Sequence, residues 1–150
     1  MEMPVQIPWY IAAIGAAVLW GVHYPLVDHA LRRVSLLSVL LLTALPIVIV
    51  SLFAARDIVA DLVALRAMRW PEQLAIFAIM LTSLGATVLL YLSISGKNAT
   101  LASLIEISYP VFVALFAYLL FRQIQFNASV VLGASFVFLG VGIIVWNNPH

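Results

Sequence analysis

Long apolar runs alternate with short polar seams along this chain. Residues 9–27, 34–55, 73–96 and 130–146 contain no Asp, Glu, Lys or Arg. The run 100–121 contains only Glu106. A bilayer core takes about 20 apolar residues per helix, so these five runs predict five membrane spans. The charged residues sit where the spans end, at Asp28, Arg32 and Arg33, at Arg56, at Lys97 and at Arg122. Between spans two and three, "DIVADLVALRAMRWPE" mixes acids, arginines and apolar residues. Ile58, Leu62 and Leu65 recur there at helical spacing, and Asp57 can cap the start. A short helix over 57–69, lying in the membrane interface, is the expectation. Pro71 then suits the first turn of the next span.

Composition agrees with this pattern. The 150 residues are 65% hydrophobic and 9% charged, with a mean hydropathy of +1.17. A soluble domain carries roughly 25% charged residues; the natural solvent of this chain is lipid. The expected fold is an all-α integral membrane protein, five transmembrane helices and a short interfacial helix, forming one domain over 1–150 without an internal repeat. Trp9, Trp70 and Trp146 fall at seams, where indoles favour the headgroup level. The start, "MEMPVQIP", has an acid and no Lys or Arg, unlike the basic start of a cleaved signal peptide, so the first span reads as retained. No stretch reads as a soluble domain. Net charge is +1 without a cationic face, which argues against a nucleic-acid partner. Cysteine is absent, so no disulfide framework is expected.

Orientation is nearly balanced. One side of a five-span chain carries Arg56, Arg66, Arg69 and Arg122, the other Arg32, Arg33 and Lys97. Lys and Arg mark the cytoplasmic side, and four against three is a narrow margin. Either that margin sets the topology or the chain inserts both ways. Small residues at Ala13, Ala17 and Gly21, and at Gly133, Gly140 and Gly142, read as close-packing faces.

Glu106 is the acid well inside a span, six residues past Thr100, or roughly 9 Å along a helix. A charged carboxylate at a helix centre costs on the order of 2.5–3.5 kcal/mol, so it needs a partner or a wet cavity. Pro110, four residues on, has no N–H to donate to the Glu106 carbonyl. Tyr109 and Pro110 would share the Glu106 face of an unbroken helix, and interrupted helices serve transporters as binding sites. Glu106 is read either as a site for a proton or a substrate amine, or as a neutral acid bonded to a nearby Ser or Tyr. In span one, Pro25 follows Trp20, His23 and Tyr24. His23, of a residue type that titrates near neutral pH, is either part of the same site, facing Glu106 across a cavity, or an interfacial residue. Asp28 and His29 read as boundary residues. Pro25, Pro46 and Pro110 are the expected helix kinks, with Thr43 near Pro46, and Tyr91, Ser93 and Ser95 are placed at the cavity mouth. "NAT" at Asn98 and "NAS" at Asn127 match glycosylation sequons but hug the bilayer. No metal-ligand spacing, phosphate-cradling loop or nucleophile–base pair appears, so neither a metal, a cofactor nor an enzyme activity is expected.

Three stretches, "LWGVHYPLVDHAL", "LLYLSISGKNATLASLIEISYPVFVALFAYLLF" and "GASFVFLGVGIIVW", resemble the EamA domain of the drug/metabolite transporter superfamily. The second carries that family's helix end, polar turn, small-residue run and Pro-Val-Phe. Two positions depart from it. Arg122-Gln123 stands where the family commonly has Gly-Glu, and "SLLSVLLLTALP" lacks an Arg often found early in the second span. The resemblance implies secondary transport of a small metabolite, amino acid or drug-like molecule. Typical members carry two such domains in inverted orientation, so one domain implies a dimer, either an antiparallel homodimer or a pairing with a related subunit, in the cell (inner) membrane. A non-transporting accessory or assembly subunit is the alternative.

Overall fold

The computed structural model describes residues 8–124 and 127–148. The expectations for the first seven residues therefore fall outside the described residues, as do those for the Trp9 side chain and the last two residues. Among the described residues there are seven helices and no strand. They are α1 (Trp9–Leu31), α2 (Leu36–Phe53), α3 (Ala55–Ala67), α4 (Trp70–Gly96), α5 (Ala99–Glu106), α6 (Tyr109–Phe121) and α7 (Ala128–Asn147). α1, α2, α4, the α5–α6 pair and α7 are each long and apolar enough to cross a bilayer. The amphipathic helix expected between spans two and three is α3.

The helix ends follow from local chemistry. α1 runs past the expected stop at 27 because Asp28 pairs with Arg32 one turn on, Oδ1 to Nη2 at 3.1 Å. Opposite charges at this spacing support a helix rather than end it. Ser35 caps α2, its Oγ accepting the Ser38 N–H at 3.3 Å. Asn98 caps α5 and Asn127 caps α7, each Oδ1 accepting a backbone N–H at 2.9 Å. Both sequon asparagines are thus engaged as caps. Between α3 and α4, Glu72 reaches back to accept the N–H of Arg69 at 3.2 Å and its guanidinium at 2.6 Å, the Glu half of a capping box at the α4 start.

Pro25 and Pro46 lie inside continuous helices. Pro110 behaves differently. The fourth span is interrupted at Ile107 and Ser108, and Pro110 stands in the first turn of the new helix α6, where a missing N–H is not needed.

Two compact units are formed, dividing between Gly96 and Lys97. In the first, α1 packs on α2 and α4, and α2 also packs on α4, with Val27, Val39, Tyr91 and Ile94 buried. In the second, α5 packs on α7. There Phe112 and Phe138 meet edge to face at 6.3 Å, and Ala99, Ala102 and Ala114 are buried. Most other apolar side chains face outward, up to 90% exposure at Phe53, which is what a hydrocarbon solvent permits. The expected close-packing glycines do not touch neighbours. Among the described residues, a Cβ added at Gly21, Gly133, Gly140 or Gly142 would meet nothing within 4 Å, so packing inside each unit does not explain them.

Candidate functional site

α1, α2 and α4 enclose a cleft of about 1030 Å³ in the first unit. Each wall is one face of a helix. Trp20 and His23, three residues apart, come from α1, and Thr43 comes from α2. Ser83, Thr87 and Tyr91 come from α4, spaced four residues apart and so stacked on one stripe. The other lining side chains are apolar, and none of the lining residues is Asp, Glu, Lys or Arg.

The polar centre joins two helices. His23 Nε2 lies 3.3 Å from the Tyr91 hydroxyl. Tyr91 is only 2% exposed, and a buried hydroxyl proton needs an acceptor. His23 Nε2 is such an acceptor when the imidazole carries its proton on Nδ1. Trp20 packs against His23 edge-on at 5.1 Å and against Tyr24 at 5.3 Å, fixing the imidazole from the side. Thr43 and Thr87 keep their hydroxyl protons on their own helices. Thr43 Oγ1 donates to the carbonyls of Val39 and Leu40, each at 3.0 Å, and Thr87 Oγ1 to that of Ser83 at 2.8 Å.

The residues singled out in the sequence divide between the two units. Trp20, His23 and Tyr24 cluster in the first, with Trp20 and His23 on the cleft. Tyr91 joins them, while Ser93 and Ser95 stay off the cleft lining. Glu106, half-buried, closes α5, and Tyr109, 58% exposed, opens α6. A short turn at Ile107 and Ser108 lies between them, with both residues in the right-handed helical region, so the chain keeps its helical sense where the regular ladder breaks. Of the α4 wall, sequence reasoning placed Tyr91 and missed Ser83 and Thr87. Their signal was present: Ser83, Thr87 and Tyr91 form a polar stripe at i, i+4 and i+8 in an otherwise apolar helix.

Residues 7–146 match the EamA-like transporter family. The chain belongs to that family. EamA proteins are membrane transporters rather than enzymes, and with five helices able to span a bilayer this one is an integral, multi-pass membrane protein. Neither the curated proteins nor the solved structures compared with it give a match.

Proposed function

We propose that this EamA protein is a secondary carrier that moves a small molecule across the cell (inner) membrane against protons, working as a dimer by alternating access. The observation that carries the reading is the α1–α2–α4 cleft, a ligand-sized space whose apolar wall carries a few polar groups, His23, Thr43, Ser83, Thr87 and Tyr91. Ligand sites are commonly about 300–1,000 Å³, mostly apolar, with few polar groups. Trp20, His23 and Tyr24 form the aromatic end of the site, with Tyr24 held against Trp20. Glu106 is the coupling carboxyl, releasing its proton on one side of the membrane and regaining it on the other. Its place beside a helix interruption, with Tyr109 and Pro110 starting the next helix, supports that role, because interrupted helices recur at carrier sites. The dimer supplies a second inverted domain, and the unpartnered faces at Gly21 and Gly133 fit a second copy.

Proteoliposomes with an imposed pH gradient test this. Wild-type protein accumulates candidate compounds when the gradient is present, and a Glu106→Gln variant inserts equally well but loses gradient-driven uptake. Normal uptake by Glu106→Gln removes the coupling role. No uptake of any compound by the wild type turns the assignment to an accessory subunit.

A further inference from the structure

The hydrogen-bond inventory of the cleft goes further than its size. Its lining has no carboxylate to balance a cation and no Lys or Arg to balance an anion. Its one ionisable ring with a base nitrogen, His23, already shares Nε2 with Tyr91. A bound ion would therefore have to shed water into this wall without a counter-charge, which is costly in an apolar site. The Thr43 and Thr87 hydroxyls have committed their protons to helix carbonyls. Each hydroxyl oxygen has two lone pairs, so Thr43 on α2 and Thr87 on α4 present acceptors, beside the Ser83 hydroxyl, which donates or accepts, and the Trp20 indole N–H, which donates. Trp20, 51% exposed on the cleft, presents an aromatic surface. A lipid chain fills apolar space but has no donor for such acceptors.

From this we infer that the cleft selects an uncharged, aromatic molecule that carries a hydroxyl or amide N–H donor, received by the Thr87 oxygen while its ring lies against Trp20. The inference rests on the carrier reading for its purpose but is a statement about binding, so it can be tested without transport. Four naphthalene probes differ only in the group under test: 2-naphthol, 2-methoxynaphthalene, 2-naphthylmethylammonium and 2-naphthoate. Each is dialysed to equilibrium against the full chain in lipid nanodiscs, and uptake by empty nanodiscs is subtracted. 2-Naphthol is expected to bind saturably, about fivefold more tightly than its methyl ether, as one net hydrogen bond would give, and the two ions more weakly still. Thr87→Val removes that preference and leaves methoxynaphthalene binding as it was, and Thr87→Ser, which keeps the oxygen, retains it. Thr43→Val, which leaves the Thr87 oxygen in place, keeps the preference.

Tightest binding by the ammonium probe or by naphthoate overturns the inference. So does equal affinity for naphthol and its ether, or no saturable binding above empty discs. The two readings fail separately. Naphthol that binds but is never transported, with uptake of every compound absent, removes the carrier and leaves the cleft's selectivity standing. Glu106-dependent uptake of compounds without naphthol binding does the reverse.

Discussion

Arg122 shows what a single backbone angle costs. It ends α6 at φ 56°, in the left-handed region, the one positive φ at a residue other than glycine among the described residues. Its N–H reaches the Tyr118 carbonyl at 2.9 Å, and the Gln123 N–H reaches Ala117 at 3.2 Å. Such a closure requires the left-handed turn. The sequence resemblance placed a glycine of the family at this position, and the conformation explains why: only glycine adopts it without a Cβ clash. Arg122 offsets part of the strain by laying its guanidinium over the Tyr118 ring at 5.7 Å. In a helix interior Ala is more stable than Gly by about 1 kcal/mol. At position 122 the order should invert, with Arg122→Gly more stable than Arg122→Ala by about 1 kcal/mol. Thermal unfolding of the two variants in one detergent decides it, and an unchanged Ala-over-Gly order would sink the account. The Tyr91 hydroxyl is a second single-atom case. Tyr91→Phe keeps the buried ring but strips His23 Nε2 of its partner. A loss of about 1 kcal/mol is expected, or roughly 2–4 °C in unfolding midpoint for a chain of this size. No shift would mean that the 3.3 Å contact contributes nothing to joining α1 and α4.

At the scale of elements, apolar run length and charge placement made the spans legible, because lipid leaves helices few alternatives. What they hid were the joints. Asp28 looked like a stop, yet its ion pair with Arg32 carries α1 to Leu31. Pro110 was expected to bend its span, and the regular helix breaks just before it, at Ile107 and Ser108, with Pro110 in the first turn of α6. Proline is compatible with either outcome, and only tertiary context chooses. The cleft was half legible: His23 and Trp20 stood out as polar and aromatic residues near a proline. Ser83 and Thr87 did not, because a hydroxyl bonded to its own helix looks inert in sequence. The α3–α4 joint was not legible at all. Gln73 folds back so that its amide nitrogen donates to the carbonyls of Leu65 at 3.1 Å and Met68 at 3.0 Å, closing the end of α3 from the helix that follows. Gln73→Leu should fray that last turn. Amides of residues 64–68 would then exchange about fivefold faster, the effect of losing one net hydrogen bond, while α4 exchange stays unchanged. Equal exchange in both proteins would make Gln73 a bystander.

At the scale of the whole molecule, the sequence divides its Lys and Arg four against three between the two faces. An antiparallel homodimer needs the same chain in both topologies, and a charge ratio of four to three is close to what that demands. The balance can be tipped with few substitutions. Arg33→Ala with Lys97→Ala leaves four against one and keeps the Asp28–Arg32 pair. Arg56→Ala, Arg66→Ala and Arg122→Ala together leave one against three and keep the Arg69–Glu72 cap. Reporter fusions at the C-terminus should give signal from both sides of the membrane for the wild-type chain. Each biased variant should report from one side only, and the two sides should be opposite. If the working unit is an antiparallel homodimer, each biased variant expressed alone loses transport, and the two expressed together regain it. That rescue separates topology from damage, because a variant inactivated by its substitutions would stay inactive beside its opposite. A wild-type chain that reports from one side, with each variant either fully active alone or silent in combination, would instead require a separate partner to supply the inverted half.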